Sequence, residues 1–165
     1  MFPRGFARGT SKGNTMSFAL ESPAFGNGDH IPRRFTADGA DVSPYLRWRD
    51  LPEGTAVLAL VVKDPDAPGG DFYHWGAWNI APVARGLPEG HRPPAGAREA
   101  LNGFGRRGYA GPRPPRGHGP HRYRFRLFAL PRPIELPEEA DARAVEAAAE
   151  ASALATAELV ATYER

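Results

Sequence analysis

Residues 57–82 read VLALVVKDPDAPGGDFYHWGAWNIAP, and they carry the clearest secondary-structure pattern of the chain. Its first part, Val57–Val62, is an apolar, β-branched run of the kind that forms a buried strand. Its last part, Phe72–Ile80, is rich in aromatic residues and predicts a second strand. Between them, each of two prolines fixes its own φ and pushes the residue before it into extended geometry. We therefore expect two strands joined by a stiff turn.

Three polar side chains lie in or just after this turn. Asp64 and Asp66 belong to the turn itself, and His74 follows in the second strand. Because the prolines restrict the turn, it can hold both carboxylates in place beside the imidazole. Aspartates in such turns more often cap the ends of strands than bind a ligand. The residue types alone therefore leave open whether these side chains form a binding site.

A second stretch, residues 109–130, reads YAGPRPPRGHGPHRYRFRLFAL and combines a Gly/Pro loop with a strand. His121 and Tyr123 alternate along one face of the predicted strand, and His118 ends the loop. An imidazole in a half-exposed pocket can donate a hydrogen bond to an anion, and a neighbouring carboxylate fixes its tautomer. Stiff Gly/Pro loops add backbone N–H donors. If the two stretches converge, they have the chemistry to hold a phosphate or a carboxylate.

Together, the two stretches resemble the phosphatidylethanolamine-binding protein (PEBP) family, and in particular its bacterial and archaeal Raf-kinase-inhibitor-like branch. The resemblance rests on three motifs: DPDAP at residues 64–68, a His-Trp pair at 74–75, and GPRPPRGHGPHRY at 111–123. It extends from Met16 to the end of the chain. Residues 22–44 look like the family's opening segment, and AELVATYER at 157–165 looks like its closing helix.

The resemblance implies a mainly β fold, a two-sheet antiparallel β-sandwich with a C-terminal helical segment. It also implies a non-enzymatic protein without a cofactor, whose pocket binds a small anion such as a phosphate or a phospholipid head group, and which modulates protein partners. Asp64, Asp66, His74, His121 and Tyr123 match positions that line this pocket. The resemblance further implies one or more cis X-Pro bonds in the DPDAP turn, and a homodimer, because bacterial relatives commonly pair.

The chain departs from the family at Arg113. Eukaryotic members have a glycine at this position, and bacterial relatives often have a cysteine. Arg113 keeps the backbone N–H and adds a guanidinium that can enter or cover the pocket. We therefore include Arg113 among the predicted ligand-binding residues, and the sequence leaves the head-group preference open.

Two other functions compete with anion binding. Asp64, His74, His118 and His121 could supply three ligands of a catalytic zinc with an open position. Against a metal-dependent hydrolase, Gly119-Pro120 places two of these histidines on a turn, and no HExxH motif is present. The second alternative is a kinase or protease inhibitor that acts through protein contacts. Kinase inhibition belongs to the animal members of the family, so we rank it below anion binding.

Composition predicts a single globular domain over residues 16–165. A chain of 165 residues can bury a sizeable core, and 41% hydrophobic and 24% charged residues are ordinary for a soluble protein. The absence of cysteine excludes disulfides and thiolate metal sites. No apolar run is long enough to span a bilayer, and the first residues lack the apolar core of a secretory signal. We expect a cytoplasmic protein.

The charge of the chain is concentrated at its start. Residues 1–15 contain three basic and no acidic side chains, which leaves 18 basic and 19 acidic residues and a net charge of −1 for the remainder. A nearly neutral domain lacks the electrostatic pattern of nucleic-acid binding. Residues 1–15 also lack hydrophobic periodicity, so we expect a flexible extension.

The final segment predicts a helix. Asp141 is a suitable N-cap, and residues 144–163 are dominated by strong helix formers. A break near Ser152 would divide this helix in two. An apolar stripe along it would pack against the sheet; its members are Val145, Ala148, Ser152, Ala155, Leu159 and Tyr163.

Overall fold

The computed structural model describes residues 17–165, so the predicted extension at residues 1–15 lies outside the described part of the chain. One α-helix, α1 (Ala142–Ser152), and one 3-10 turn, Arg33–Phe35, accompany the strands in this part. The strands are β1 (Ala19–Glu21), β2 (Leu46–Arg49), β3 (Val57–Asp64), β4 (Phe72–Ile80), β5 (Gly86–Leu87), β6 (Arg98–Glu99), β7 (His121–Leu130) and β8 (Ala155–Tyr163).

The strands form two antiparallel sheets. The small sheet has the order β1-β2-β5, and the large sheet has the order β6-β4-β3-β7-β8. These sheets and the helix before the last strand confirm the predicted mainly β class with a C-terminal helical segment. No helix of residues 17–165 is both long enough and apolar enough to cross a bilayer.

Apolar side chains fill both sides of the large sheet. Between the two sheets, Leu46 and Trp48 belong to the same buried cluster as Leu60 and Phe125. On the opposite face, α1 packs on the sheet and closes a second cluster. Because β3 is covered on both faces, seven of its eight residues are buried and its sequence shows no polar alternation.

The last nine residues of the predicted helix are instead a strand. Helix α1 begins after Asp141, whose side chain accepts from the Ala144 N–H at 2.9 Å as the predicted N-cap, and ends at the predicted break near Ser152. Residues 155–163 then pair with β7 along their whole length. Helix propensity amounts to only tenths of a kcal/mol per residue, so the ladder with β7 and the burial of Leu159 and Ala161 outweigh it.

The DPDAP turn also differs from the expectation. The prediction of a cis X-Pro bond in it is wrong, because every peptide bond of the described residues is trans. Hydrogen bonds stabilise the turn: Asp64 Oδ1 accepts from the Asp66 N–H at 2.8 Å, and Ala67 O accepts from the Gly70 N–H at 2.9 Å.

An irregularity in the β3–β4 ladder positions His74. Lys63 pairs with Tyr73 but Val62 pairs with Trp75, so His74 is an extra residue in β4. Tyr73 belongs to the cluster under α1, whereas Trp75 belongs to the cluster between the sheets. The extra residue therefore lets His74 project from the large sheet on the side away from α1, toward Tyr123 of β7.

Candidate functional site

A cavity of about 280 Å³ opens where β3 ends and where β4 and β7 begin. We call it the end cavity. Five of the six predicted ligand-binding residues line it: Asp64, His74, Arg113, His121 and Tyr123. Its other lining residues, mostly apolar, are Ala67, Pro68, Phe72, Phe104, Pro114 and Pro115.

Asp64 and His121 form a buried pair at the floor of the end cavity. His121 Nδ1 lies 2.7 Å from Asp64 Oδ2, and both side chains are at most 5% exposed. The second carboxylate oxygen of Asp64 accepts from the turn backbone, as described above. Because a carboxylate only accepts, His121 Nδ1 carries the hydrogen, and Asp64 fixes the tautomer of the ring.

The other nitrogen of His121 also has a partner. His121 Nε2 lies 2.6 Å from Nδ1 of His118, so the two imidazoles form a chain that ends on Asp64. Sequence reasoning considered His118 only as a zinc ligand. No group of three or more His, Asp or Glu side chains in residues 17–165 is arranged to hold a metal ion. Asp64, His121 and His118 are instead hydrogen-bonded to one another, and His74 to a backbone carbonyl.

His74 stands across the end cavity and is held differently. Its Nδ1 lies 2.6 Å from the carbonyl oxygen of Ala110, so Nδ1 carries a hydrogen and donates. Burial lowers the pKa of His74, and the Ala110 carbonyl and the charge of Asp64 oppose this shift only in part. A neutral His74 retains Nε2 as a hydrogen-bond acceptor.

Tyr123 provides a donor that makes no hydrogen bond of normal geometry within residues 17–165. Its side chain is buried, and its hydroxyl has no hydrogen-bond partner within normal geometry among the described residues. Burial raises the pKa of the phenol, and Asp64 raises it further through its negative charge and a weak interaction with the hydroxyl outside normal hydrogen-bond geometry. The hydroxyl therefore stays protonated. A buried polar group without a partner is costly, which makes it a natural contact for a ligand.

Arg113 and Asp66, the two predicted residues on the outside of the site, differ in whether they have a partner within the protein. Arg113 is exposed at the lining of the end cavity and has no ion-pair or hydrogen-bond partner in the described part of the chain. Asp66 does not line the end cavity. Its carboxylate binds the Arg122 guanidinium at 2.9 and 3.0 Å, and these bonds lower the pKa of Asp66 to about 2. The structure thus assigns Asp66 a partner in the protein.

Two aromatic rings form one wall of the end cavity. Phe72 lines the end cavity, whereas Trp75 does not line it, and its indole N–H donates to Glu99 at 2.8 Å. Phe104 was missed; its ring lies 4.9 Å from that of Phe72 and is 43% exposed. The available signal was Gly103, where a Cβ would lie 2.4 Å from the Phe72 ring, so only glycine permits this close approach.

The sequence matches a known protein family and several of its members. Residues 21–164 match the family described as phosphatidylethanolamine-binding protein. The chain is 44% identical over 148 residues to a UPF0098 protein of Aquifex aeolicus, covering 87% of this chain and 86% of that protein. It is 40% identical over 150 residues to a UPF0098 protein of Methanothermobacter thermautotrophicus, covering 88% and 98% of the two chains.

The fold also matches that of a solved member of this family. The crystal structure of Escherichia coli YbcL, described as a new member of the mammalian PEBP family, superposes with a TM-score of 0.85 and 33% identity, and the match covers 90% of this chain and 98% of YbcL. The chain therefore belongs to the phosphatidylethanolamine-binding protein family, among relatives of bacteria and archaea.

Proposed function

We propose that this protein is a non-enzymatic binding protein whose end cavity holds a small phosphate- or carboxylate-bearing anion, and that it modulates protein partners through occupancy of this cavity. The observation that carries the proposal is the buried Tyr123 hydroxyl without a partner, in the same cavity as the unpaired guanidinium of Arg113. An anion supplies the acceptors that both groups lack. Hydrogen bonds to a charged acceptor are also the stronger class.

The size and walls of the end cavity fit a small head group. Its volume of about 280 Å³ is at the low end for ligand pockets. The rings of Phe72 and Phe104 and the adjacent prolines form an apolar rim, which suits a short apolar substituent on the anion. The predicted cytoplasmic location and the homodimer stay predictions.

The hydrogen bonds of His121 favour binding over catalysis. An imidazole oriented by a buried carboxylate can act as a general base in hydrolases, provided that its second nitrogen reaches a nucleophile. Here the second nitrogen of His121 lies against His118 instead of a hydroxyl or a thiol. This arrangement supports a binding role for the pair.

Titration calorimetry with inorganic phosphate, in a buffer without phosphate, tests the proposal. Tyr123→Phe should weaken binding about 10-fold or more, since a hydrogen bond to a charged group is worth about 1.5–3 kcal/mol. Its melting temperature should stay close to that of the wild type, because the hydroxyl has no partner in the protein. Tyr45→Phe, the same change at an exposed tyrosine outside the end cavity, is the control. Equal phosphate affinity of wild type and Tyr123→Phe would refute the proposal.

A further inference from the structure

The wall of Phe72 and Phe104 belongs to a longer row of aromatic rings along the end cavity. The row begins at Phe104, which is 43% exposed. It continues through Phe72 and His74 to the buried Tyr123. The centroids of neighbouring rings lie 4.9, 5.1 and 5.4 Å apart, and each pair meets edge to face. The row therefore leads from the exposed rim of the cavity to the hydroxyl that we assign to the anion.

The turn that carries Phe104 is fixed by the buried side chain of Asn102. Asn102 Oδ1 accepts from the Phe104 N–H at 2.8 Å and from the Arg106 N–H at 3.3 Å. The Gly103 N–H donates to the carbonyl oxygen of Tyr73 at 2.7 Å, which ties the turn to strand β4. Because the turn is held by the protein itself, the Phe104 ring is in place before a ligand arrives, and little ordering cost remains for binding.

The apolar part of the end cavity stays open when a bare anion binds. Inorganic phosphate, at about 30 Å³ for each water-sized atom, fills roughly half of the volume of about 280 Å³. Among the large hydrophobic side chains that are exposed in residues 17–165, Phe104 is the one that lines this cavity. The lining side chains that offer no hydrogen bond are Ala67, Pro68, Phe72, Phe104, Pro114 and Pro115. An apolar substituent on the anion would displace water from these surfaces and so increase the affinity.

We propose that the end cavity prefers small anions whose charged group is attached to a flat apolar ring, and that Phe104 sets this preference. The inference rests on the proposed function, since it adds a substituent to the same anion. A flat ring can pack edge to face on the aromatic row, whereas a methyl group covers little of it. The preference concerns the substituent alone, so it applies to phosphate monoesters and diesters alike.

Phenyl phosphate and methyl phosphate, compared by titration calorimetry at about pH 8, test the preference. At this pH both esters are dianions, because the second pKa of a phosphate monoester is about 6. The wild type should bind phenyl phosphate at least about 10-fold more tightly, the gain from burying about 60 Å² of apolar surface. Equal affinities of the two esters would overturn the ring preference and leave the anion site in place. Failure of both esters and of inorganic phosphate to bind would overturn the proposed function as well.

Cyclohexyl phosphate separates the flat ring from the apolar area. Its saturated ring buries a similar area but has no π-system to pack edge to face with the aromatic row. It should therefore bind about 2- to 10-fold more weakly than phenyl phosphate, the scale of one aromatic pair. Equal affinities of the two ring esters would contradict the requirement for a flat ring.

Variants of Phe104 test the assignment to this residue. Phe104→Ala should weaken the binding of phenyl phosphate about 5-fold or more and leave the affinity for methyl phosphate within about 2-fold. Phe104→Leu keeps an apolar side chain without a ring, so it should bind phenyl and cyclohexyl phosphate about equally. Tyr45→Ala, which removes an exposed aromatic side chain outside the end cavity, is the matched control. An unchanged ratio of the phenyl and methyl phosphate affinities in Phe104→Ala would show that Phe104 does not set the preference.

Discussion

The two faces of the large sheet each carry a group of polar side chains, and the groups differ in how far the protein itself satisfies them. Lys63 and Asp64 are neighbours in β3, as are Tyr73 and His74 in β4, and the sheet sends the members of each pair to opposite sides. On the side of α1 lie Lys63, Tyr73, Arg126 and Glu146, which we call the helix-side cluster.

The helix-side cluster is centred on one carboxylate. Glu146, 5% exposed, accepts from Lys63 Nζ at 3.0 Å, from the Tyr73 hydroxyl and from Arg126 Nη1. Burial by itself would raise the pKa of Glu146, but these hydrogen bonds outweigh it and hold the pKa below its ordinary value. Every oxygen of this carboxylate has a donor from the protein, and the one buried polar atom of the cluster without a partner among the described residues is Nε of Arg126.

In the end cavity, by contrast, the Tyr123 hydroxyl and Arg113 lack hydrogen-bond partners of normal geometry within residues 17–165, and the neutral form of His74 has an acceptor at Nε2. The comparison shows that burial of polar groups does not by itself indicate a binding site. A buried carboxylate whose partners are complete contributes to stability, whereas a hydroxyl that lacks a partner and also lines a cavity is available to a ligand.

The largest expected effect is on the helix-side cluster. Glu146→Ala leaves Lys63 and Arg126 without their shared partner and should lower the free energy of unfolding by about 3 kcal/mol. This value is near the low end for a broken buried ion pair, because Asp71 remains as a partner of Lys63 and Glu150 as a partner of Arg126. Urea denaturation measures this change. Glu150→Ala, which removes an exposed partner of the same arginine, should cost only about 0–1 kcal/mol. A large loss of phosphate affinity in folded Glu146→Ala would show that the helix-side cluster also contributes to anion binding, contrary to the distinction between the two faces.

The next effect concerns the floor of the end cavity. Asp64→Asn keeps one side-chain oxygen that can accept a hydrogen bond but replaces the other oxygen with an N–H₂ donor. In the wild type the two oxygens face the Asp66 N–H and His121 Nδ1–H, so the new donor would face another donor. The hydrogen of His121 should therefore move from Nδ1 to Nε2, at a cost of about 1–3 kcal/mol of stability. Nitrogen NMR of labelled histidine reads the tautomer directly. Asp66→Asn should leave it unchanged, and an unaltered His121 tautomer in Asp64→Asn would contradict the hydrogen-bond chain.

The smallest effect is expected at the exposed Asp66–Arg122 pair, which belongs neither to the helix-side cluster nor to the end cavity. Arg122→Ala should cost about 0–1 kcal/mol at pH 7. The folded state lowers the pKa of Asp66 to about 2, below that of the unfolded chain, so the pair contributes its stability above about pH 4 and loses it as pH falls toward 2. Urea denaturation of both proteins at pH 7 and pH 3 should show the difference shrinking. A difference that grows in acid would indicate another partner for Arg122.

Local sequence patterns were enough to predict most of the local elements and most of the polar residues that line the end cavity. The apolar run of β3, the aromatic run of β4 and the N-cap at Asp141 depend on near neighbours along the chain, so their patterns suffice. The family motifs identified Asp64, His74, His121 and Tyr123, and Arg113 stood out as a departure; all five line the end cavity.

The partners of these groups depend on how distant parts of the chain pack together. Residues 155–163 have the composition of a helix but form a strand, because β7 offers an edge for all nine of them. Asp66 binds Arg122 outside the end cavity, and His118 occupies a nitrogen of His121. Asp64 and His121 are 57 residues apart in the chain. Hydrogen bonds at such separations depend on where distant backbone segments meet, and local residue patterns carry no information about that meeting.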